Sequence, residues 1–117
     1  AHVRSAVEML SKHSLPPRVM IDCSHATSGK DPARQPLVAA EIAAQIASGE
    51  PAIAAVMLES NLLGGAQDYR ARPLVHGRSV TDGCLSWEQT LSVLGVLAEA
   101  VQARRRGASA VNRSLFS

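Results

Sequence analysis

Cysteine is scarce in this chain. Two residues, Cys23 and Cys84, among 117 are too few for a disulfide framework. Both fall in apolar segments and read as reduced packing residues of a cytoplasmic protein. An excess of one charge is missing too: 12 Lys and Arg stand against 10 Asp and Glu, a formal net charge of +2. That balance leaves no electrostatic footprint for nucleic acid. The dense basic run Arg104-Arg105-Arg106 reads as a solvated helix end near the C-terminus. No uncharged run reaches the ~18 apolar residues that a membrane span needs. No charged segment precedes an apolar core and a cleavage site, so neither membrane insertion nor secretion is expected. What is present is a hydrophobic fraction of 46%, normal for a folded globular chain and too high for disorder. The length suits one small domain.

Hydrophobic periodicity orders the chain. Val3, Val7 and Leu10 form the stripe of an amphipathic helix over 2–13, ended by Pro16-Pro17. Residues 18–24 (RVMIDCS) read as a short, mostly buried strand, and 25–35 as a loop rich in Ser, Thr, Gly, Asp and Pro. An Ala-rich helix follows over 36–48, with Pro36 in its first turn and Gly49 at its stop. Ala52 to Leu58 (AIAAVML) is an unbroken apolar run, expected as a strand buried on both faces. Residues 61–78 form a long loop, of the kind that is usually functional or mobile. A short strand is expected at Ser79 to Asp82. Ser86 and Gln89 then make a capping box. Leu91, Leu94, Ala98 and Val101 give one helical face, which ends at Arg104 to Gly107. The tail 108–117 carries no assignment.

Strands separated by helices imply parallel pairing with helical crossovers. Three such strands neither close a barrel nor cover both faces of a sheet. The chain also opens on Ala1 rather than Met. Together these features predict the last part of a larger α/β protein.

Three polar residues stand where apolar runs stop: His25 after VMIDCS, Glu59 after AIAAVML, and Asp82 after Ser-Val-Thr. In parallel α/β folds the strand C-termini open on one face, where sites are built. His25 and Glu59 are separated by about one βαβ unit, roughly 30 residues, so neighbouring strands can present them side by side. One imidazole and two carboxylates suit Mn²⁺, Fe²⁺, Co²⁺ or Zn²⁺. Each residue also has a plainer reading. A lone His after a strand is more often a hydrogen-bonded or partly exposed side chain than a ligand, and Asp82 also reads as a turn or helix-approach residue. Glu59 is the least easily dismissed, because a carboxylate at the end of an apolar strand needs a partner. Cys23 and His25, two apart, offer a weaker zinc pair with no second pair to complete it. Gly64-Gly65 allows a phosphate to approach, but no phosphate-loop fingerprint follows. Lys30, Arg70, Arg72 and Arg78 lie in loops, where solvated charge is the default and a phosphate site the alternative.

The strand ends also carry a family resemblance. Val19-Met20-Ile21-Asp22-Cys23-Ser24-His25-Ala26 resembles the D-x-S-H-A strand end of class I 3-deoxy-D-arabino-heptulosonate 7-phosphate (DAHP) synthases. Val56-Met57-Leu58-Glu59-Ser60-Asn61-Leu62 is similar to the family's V-M-x-E-S-x-L strand end. Gly77 to Cys84 with Trp87-Glu88 resembles its G-x-S-x-T-D-x-C-x-x-W motif. Gln45 to Glu50 and Ala103 to Arg106 fit as well. The resemblance runs, in order, from about residue 2 to about residue 107.

The resemblance implies a (β/α)₈ barrel of which this chain holds the last three βα units, with 108–117 as a tail. It implies condensation of phosphoenolpyruvate with erythrose 4-phosphate to DAHP and phosphate, the first step of the shikimate pathway to aromatic amino acids. His25, Glu59 and Asp82 match three of the family's four metal ligands, and Asp82 is also placed to orient the sugar's hydroxyls. The fourth ligand, a cysteine, belongs to an upstream strand, and neither Cys23 nor Cys84 occupies its position. Cys23 stands where many relatives have phenylalanine, consistent with packing. Most phosphate-clamping Lys and Arg, and the N-terminal extension through which members are feedback-inhibited, are also upstream. A homo-oligomeric parent is implied, and an isolated chain without turnover. Two other readings stand beside this one. One is a non-catalytic module that folds only through self-association or with its missing half. The other is the related 3-deoxy-manno-octulosonate 8-phosphate synthase, against which the Gly77 to Trp87 motif speaks.

Overall fold

In a computed structural model of the chain, residues 2–115 are described. Helix α1 spans His2–Lys12, strand β1 Val19–Asp22, helix α2 Gln35–Ala47, strand β2 Ile53–Met57 and helix α3 Trp87–Leu115. The stripe Val3, Val7 and Leu10 is half-buried, and Val3 packs at the margin of the core. The helix closes before the proline pair: Ser14 takes a left-handed φ of 56°, and the Leu15 amide donates to the Leu10 carbonyl at 2.9 Å. That is the left-handed cap by which helices satisfy their last carbonyls.

β1 and β2 pair in parallel, with Ile21 opposite Val56 and Asp22 opposite Met57. The intervening α2 is the helical crossover that parallel pairing requires. One face of this two-stranded sheet carries the core. Ala39, Ile42, Ala43 and Ile46 of α2 meet Cys23, Ile53 and Leu85, and Val93, Leu97 and Ala100 of α3 complete the cluster. The other face is open. Met20 is 61% exposed and Met57 39% exposed, and Ala54 and Ala55 are exposed as well. The expectation of a β2 strand buried on both faces, and of a mostly buried β1, is therefore corrected: the helices cover a single side.

The third strand is also corrected. Ser79 to Asp82 forms no strand; Ser79 makes a lone bridge to Ala66. The chain returns to the edge of β2 three residues later. Leu85 bridges Ser60 in parallel, with the Leu85 amide donating to Glu59 O at 2.9 Å and the Asn61 amide to Leu85 O at 3.0 Å. Leu85, 1% exposed, is the anchor. The Ser-Val-Thr run is followed by Asp82 and Gly83, which offer no apolar side chain to bury, so close pairing waits for Leu85.

The loop 25–35 contains a 3₁₀ turn at Pro32–Arg34, capped by the Asp31 carboxylate accepting from the Ala33 amide. The capping box at α3 forms as the spacing predicts. The Ser86 amide donates to Gln89 Oε1 at 2.9 Å and the Gln89 amide to Ser86 Oγ at 3.2 Å. α3 does not stop at Gly107; it continues to Leu115, so the described part of the tail is helical, while residues 116 and 117 lie outside the described residues. Nothing packs on a Cβ at Gly107, and one helical glycine costs only about 1 kcal/mol. The Arg104-Arg105-Arg106 run thus lies inside the helix. Arg104 is a tether rather than a solvated end, its Nη1 donating to Glu50 O at 2.9 Å and to Ile53 O at 3.1 Å.

Candidate metal centre

Parallel strands deliver their C-terminal ends to one edge, and the three polar residues singled out above meet there. His25 follows β1, Glu59 follows β2, and Asp82 lies on the loop that returns to the edge of β2. One donor atom from each of His25, Glu59 and Asp82 falls within 4.8 Å of the others. His25 Nε2 lies 3.6 Å from Glu59 Oε1. Among the described residues this is the one cluster of three such donors close enough to share an ion.

Each side chain is held from its own element. The backbone after β1 turns tightly. Asp22 Oδ1 accepts from the Ser24 amide at 2.8 Å and from Ser24 Oγ at 2.5 Å. Thr27 Oγ1 donates to Asp22 O at 2.5 Å, and buried Ser28 donates to Ser24 O. Asp22 Oδ2 lies 2.8 Å from His25 Nδ1, and Ser24 Oγ lies 3.0 Å from the same nitrogen.

Glu59 is held through its backbone by a residue far away in sequence. Gln35, wholly buried at the start of α2, accepts the Glu59 amide at 2.9 Å and donates to its carbonyl at 3.2 Å. The next residue is fixed too, Ser60 Oγ meeting Thr90 Oγ1 at 2.6 Å. Asp82 is exposed, and its position follows from Gly83, where a Cβ would come within 2.8 Å of Pro32 Cγ. Absence of that side chain lets the loop close on the 3₁₀ turn.

The electrostatics follow from the crowding of acid around one imidazole. Hydrogen bonds from Ser24 hold the Asp22 carboxyl down to about 2 from an ordinary 3.8, and His25 adds to the effect. His25 is raised above 6.5, first by its hydrogen bond to Asp22, then by the charges of Asp22, Glu59 and Asp82. Burial pushes the Cys23 thiol up, and the Asp22 charge adds to it.

The donor set fits a divalent ion. Two carboxylate oxygens and one imidazole nitrogen are borderline-hard ligands, and three of them leave further coordination positions open.

Other sequence candidates are not brought here. Cys23 is buried in the core and Cys84 half-buried, both as free thiols, and neither belongs to the donor cluster. The Gly65 amide is taken by Cys84 O at 2.8 Å, so the glycine pair offers a phosphate little. Arg70 pairs with Asp68 at 4.0 Å and lies over the Tyr69 ring. Arg72 is spent on the Tyr69 and Ala71 carbonyls. Asp22 and Gln35 were not legible as site residues. Asp22 is concealed inside an apolar strand, though a carboxylate three residues before a histidine is a signal. Gln35 acts across 24 residues, which no local pattern reveals.

Comparison with known proteins gives a consistent picture. The DAHP synthetase I family matches residues 1–94. The chain is 49% identical over 110 residues to "Phospho-2-dehydro-3-deoxyheptonate aldolase, tyrosine-inhibited" of Schizosaccharomyces pombe, covering 90% of this chain and 30% of that protein. It is 49% identical over 105 residues to the enzyme of that name described as Phe-sensitive from Escherichia coli strain K12, covering 89% of this chain and 30% of that one. A solved structure of a phospho-2-dehydro-3-deoxyheptonate aldolase from Francisella tularensis superposes with a TM-score of 0.85 at 47% identity, over 88% of this chain and 30% of that one. The chain thus spans about 30% of the length of these relatives.

Proposed function

Because the chain belongs to the DAHP synthetase I family, we propose that it forms the metal-bearing C-terminal portion, three βα units, of a (β/α)₈ DAHP synthase. The observation that carries this reading is the convergence of His25, Glu59 and Asp82, with donor atoms within 4.8 Å, at the C-terminal edge of parallel strands. His25 Nε2 and one carboxylate oxygen from each of Glu59 and Asp82 would hold one divalent ion. Mn²⁺, Fe²⁺, Co²⁺ and Zn²⁺ all suit that donor set.

When bound, the ion supplies Lewis acidity that polarises the aldehyde of erythrose 4-phosphate. The enol carbon of phosphoenolpyruvate forms the new carbon–carbon bond to that aldehyde carbon. Water adds at the carbon bearing the phosphate ester, and the carbon–oxygen bond to phosphate breaks. One water is consumed, and DAHP and inorganic phosphate are released. Gln35 keeps the Glu59 backbone from shifting, and Asp82, exposed beside the site, orients the sugar's hydroxyls. The phosphate clamps and a fourth ligand come from upstream strands, so this chain alone turns over negligibly. The whole enzyme is a cytoplasmic homo-oligomer in this reading. No helix among the described residues is long and apolar enough to cross a membrane.

The open sheet face favours a second behaviour for the chain by itself. Exposed Met20 and Met57 need a cover, so the isolated chain associates with itself or with the missing strands.

The test is a graft. Residues 2–107 replace the corresponding segment of the Phe-sensitive Escherichia coli enzyme, and phosphate release from phosphoenolpyruvate is measured with erythrose 4-phosphate present. Turnover by the graft, its loss in the His25→Ala graft, and none from the 117-residue chain are expected. A folded but inert graft, or DAHP formed by the chain alone, overturns the proposal.

A further inference from the structure

We infer that Asp22 is a positioning residue for the metal centre, fixing the tautomer and ring orientation of His25 so that Nε2, not Nδ1, carries the free electron pair. The inference rests on the reading of His25, Glu59 and Asp82 as ligands, and adds a residue outside that set.

The geometry leaves His25 little choice. Both neighbours of Nδ1 call for a donor there. Asp22 Oδ2, at 2.8 Å, is a carboxylate oxygen and can only accept. Ser24 Oγ, at 3.0 Å, gives its own proton to Asp22 Oδ1 and has lone pairs to offer. Nδ1 therefore holds the ring proton. The other nitrogen, Nε2, faces Glu59 Oε1 at 3.6 Å, a separation an ion can bridge and a hydrogen bond cannot.

Asp22 is itself immobilised. The Ser24 amide binds Oδ1 at 2.8 Å, and Thr27 ties down the Asp22 carbonyl. The result is a carboxylate–histidine–metal relay. Partners of this kind orient the ring and raise ligand basicity, and losing one typically weakens metal binding by roughly 10- to 100-fold.

Asp22→Asn is an informative variant because it is isosteric and wrong. The Ser24 amide still demands an acceptor at the Oδ1 position. The amide NH₂ of the asparagine then falls opposite Nδ1 and demands a lone pair there, which moves the proton to Nε2 and blocks the metal-facing nitrogen.

Two readouts test this on the full chain. The first is a Co²⁺ titration followed by visible absorption, in wild type and Asp22→Asn. The second is the His25 tautomer of the metal-free protein, read from imidazole ¹⁵N shifts on the alkaline plateau of its own ¹⁵N titration. The expected result is an Nδ1–H tautomer in wild type, a shift toward Nε2–H in Asp22→Asn, and Co²⁺ affinity lowered roughly 10- to 100-fold. The wild-type tautomer needs no variant, so a folding defect in Asp22→Asn leaves that arm decisive. An Nε2–H tautomer in wild type overturns the inference. So does Co²⁺ binding that is unchanged in Asp22→Asn while wild type binds normally. If wild type binds no Co²⁺, the metal reading itself fails, and this one with it.

Discussion

His25 stands half-exposed among three carboxylates, and its chemistry is set by them more than by its own ring. Its raised pKa and the depressed pKa of Asp22 give the metal-free chain a defined pH response. A base raised on folding contributes stability that is complete below its unfolded value and is lost as pH rises through the folded one. For His25 that contribution is full below 6.5 and is lost as pH rises from there through its raised folded value. A depressed carboxylate behaves in the opposite sense, so Asp22 contributes above 3.8 and loses its share as pH falls toward about 2. The pair therefore stabilises most between about pH 4 and 6.5. Denaturant midpoints of wild type and His25→Ala, measured across that range, are expected to differ most inside it and to converge outside. Equal spacing at every pH contradicts the pairing. Gln35 gives a second prediction at this scale. Gln35→Ala removes the partner of the part-buried Glu59 amide, at a cost of about 1–3 kcal/mol, and lowers metal affinity even though Gln35 touches no ion; unchanged affinity in a folded variant refutes the role. His25, Glu59 and Asp82 were readable because each is a polar residue where an apolar run stops. Asp22 and Gln35 were hidden, one inside the run and the other in a different element.

At the scale of elements, periodicity located α1, α2, β1, β2 and the start of α3, because each has a stripe or an unbroken apolar run and a stop signal. It misplaced the third edge segment, since a single buried Leu85 leaves no period to detect. Leu85→Ala should cost about 2–5 kcal/mol and release the loop that carries Asp82; thermal unfolding checks the first and metal affinity the second. The capping box was legible in four residues, and Ser86→Ala is expected to cost about 1 kcal/mol, read from urea unfolding. The end of α3 was not legible, because the arginines and glycine that look like a terminus are tolerated within a helix tethered by Arg104. Gly77 sits at φ +78°, and a Cβ there would lie 2.8 Å from Leu62 Cβ. Gly77→Ala is therefore expected to destabilise by about 1–3 kcal/mol.

The whole molecule is drawn out. Its radius of gyration is 17.7 Å, against about 13 Å for a compact domain of this length. Its extents of 67 × 32 × 18 Å reflect α3 projecting beyond the sheet it covers. One sheet face is covered and the other open, so the site sits at the edge of an incomplete layer. This is the physical form of what the order of elements implied, since two paired strands and isolated bridges cannot enclose a core. Gel filtration of the chain is expected to give self-associated species rather than a single monomer peak, and a monodisperse monomer would argue that the open face needs no partner.

The central claim is that His25, Glu59 and Asp82 hold one divalent ion together. Elemental analysis after Mn²⁺ loading and dialysis tests it most directly, on wild type and on Glu59→Gln, which keeps the shape of the side chain and removes its charge. The account predicts about one ion per chain in wild type and almost none in Glu59→Gln. An ion retained equally by both, or by neither, would contradict it.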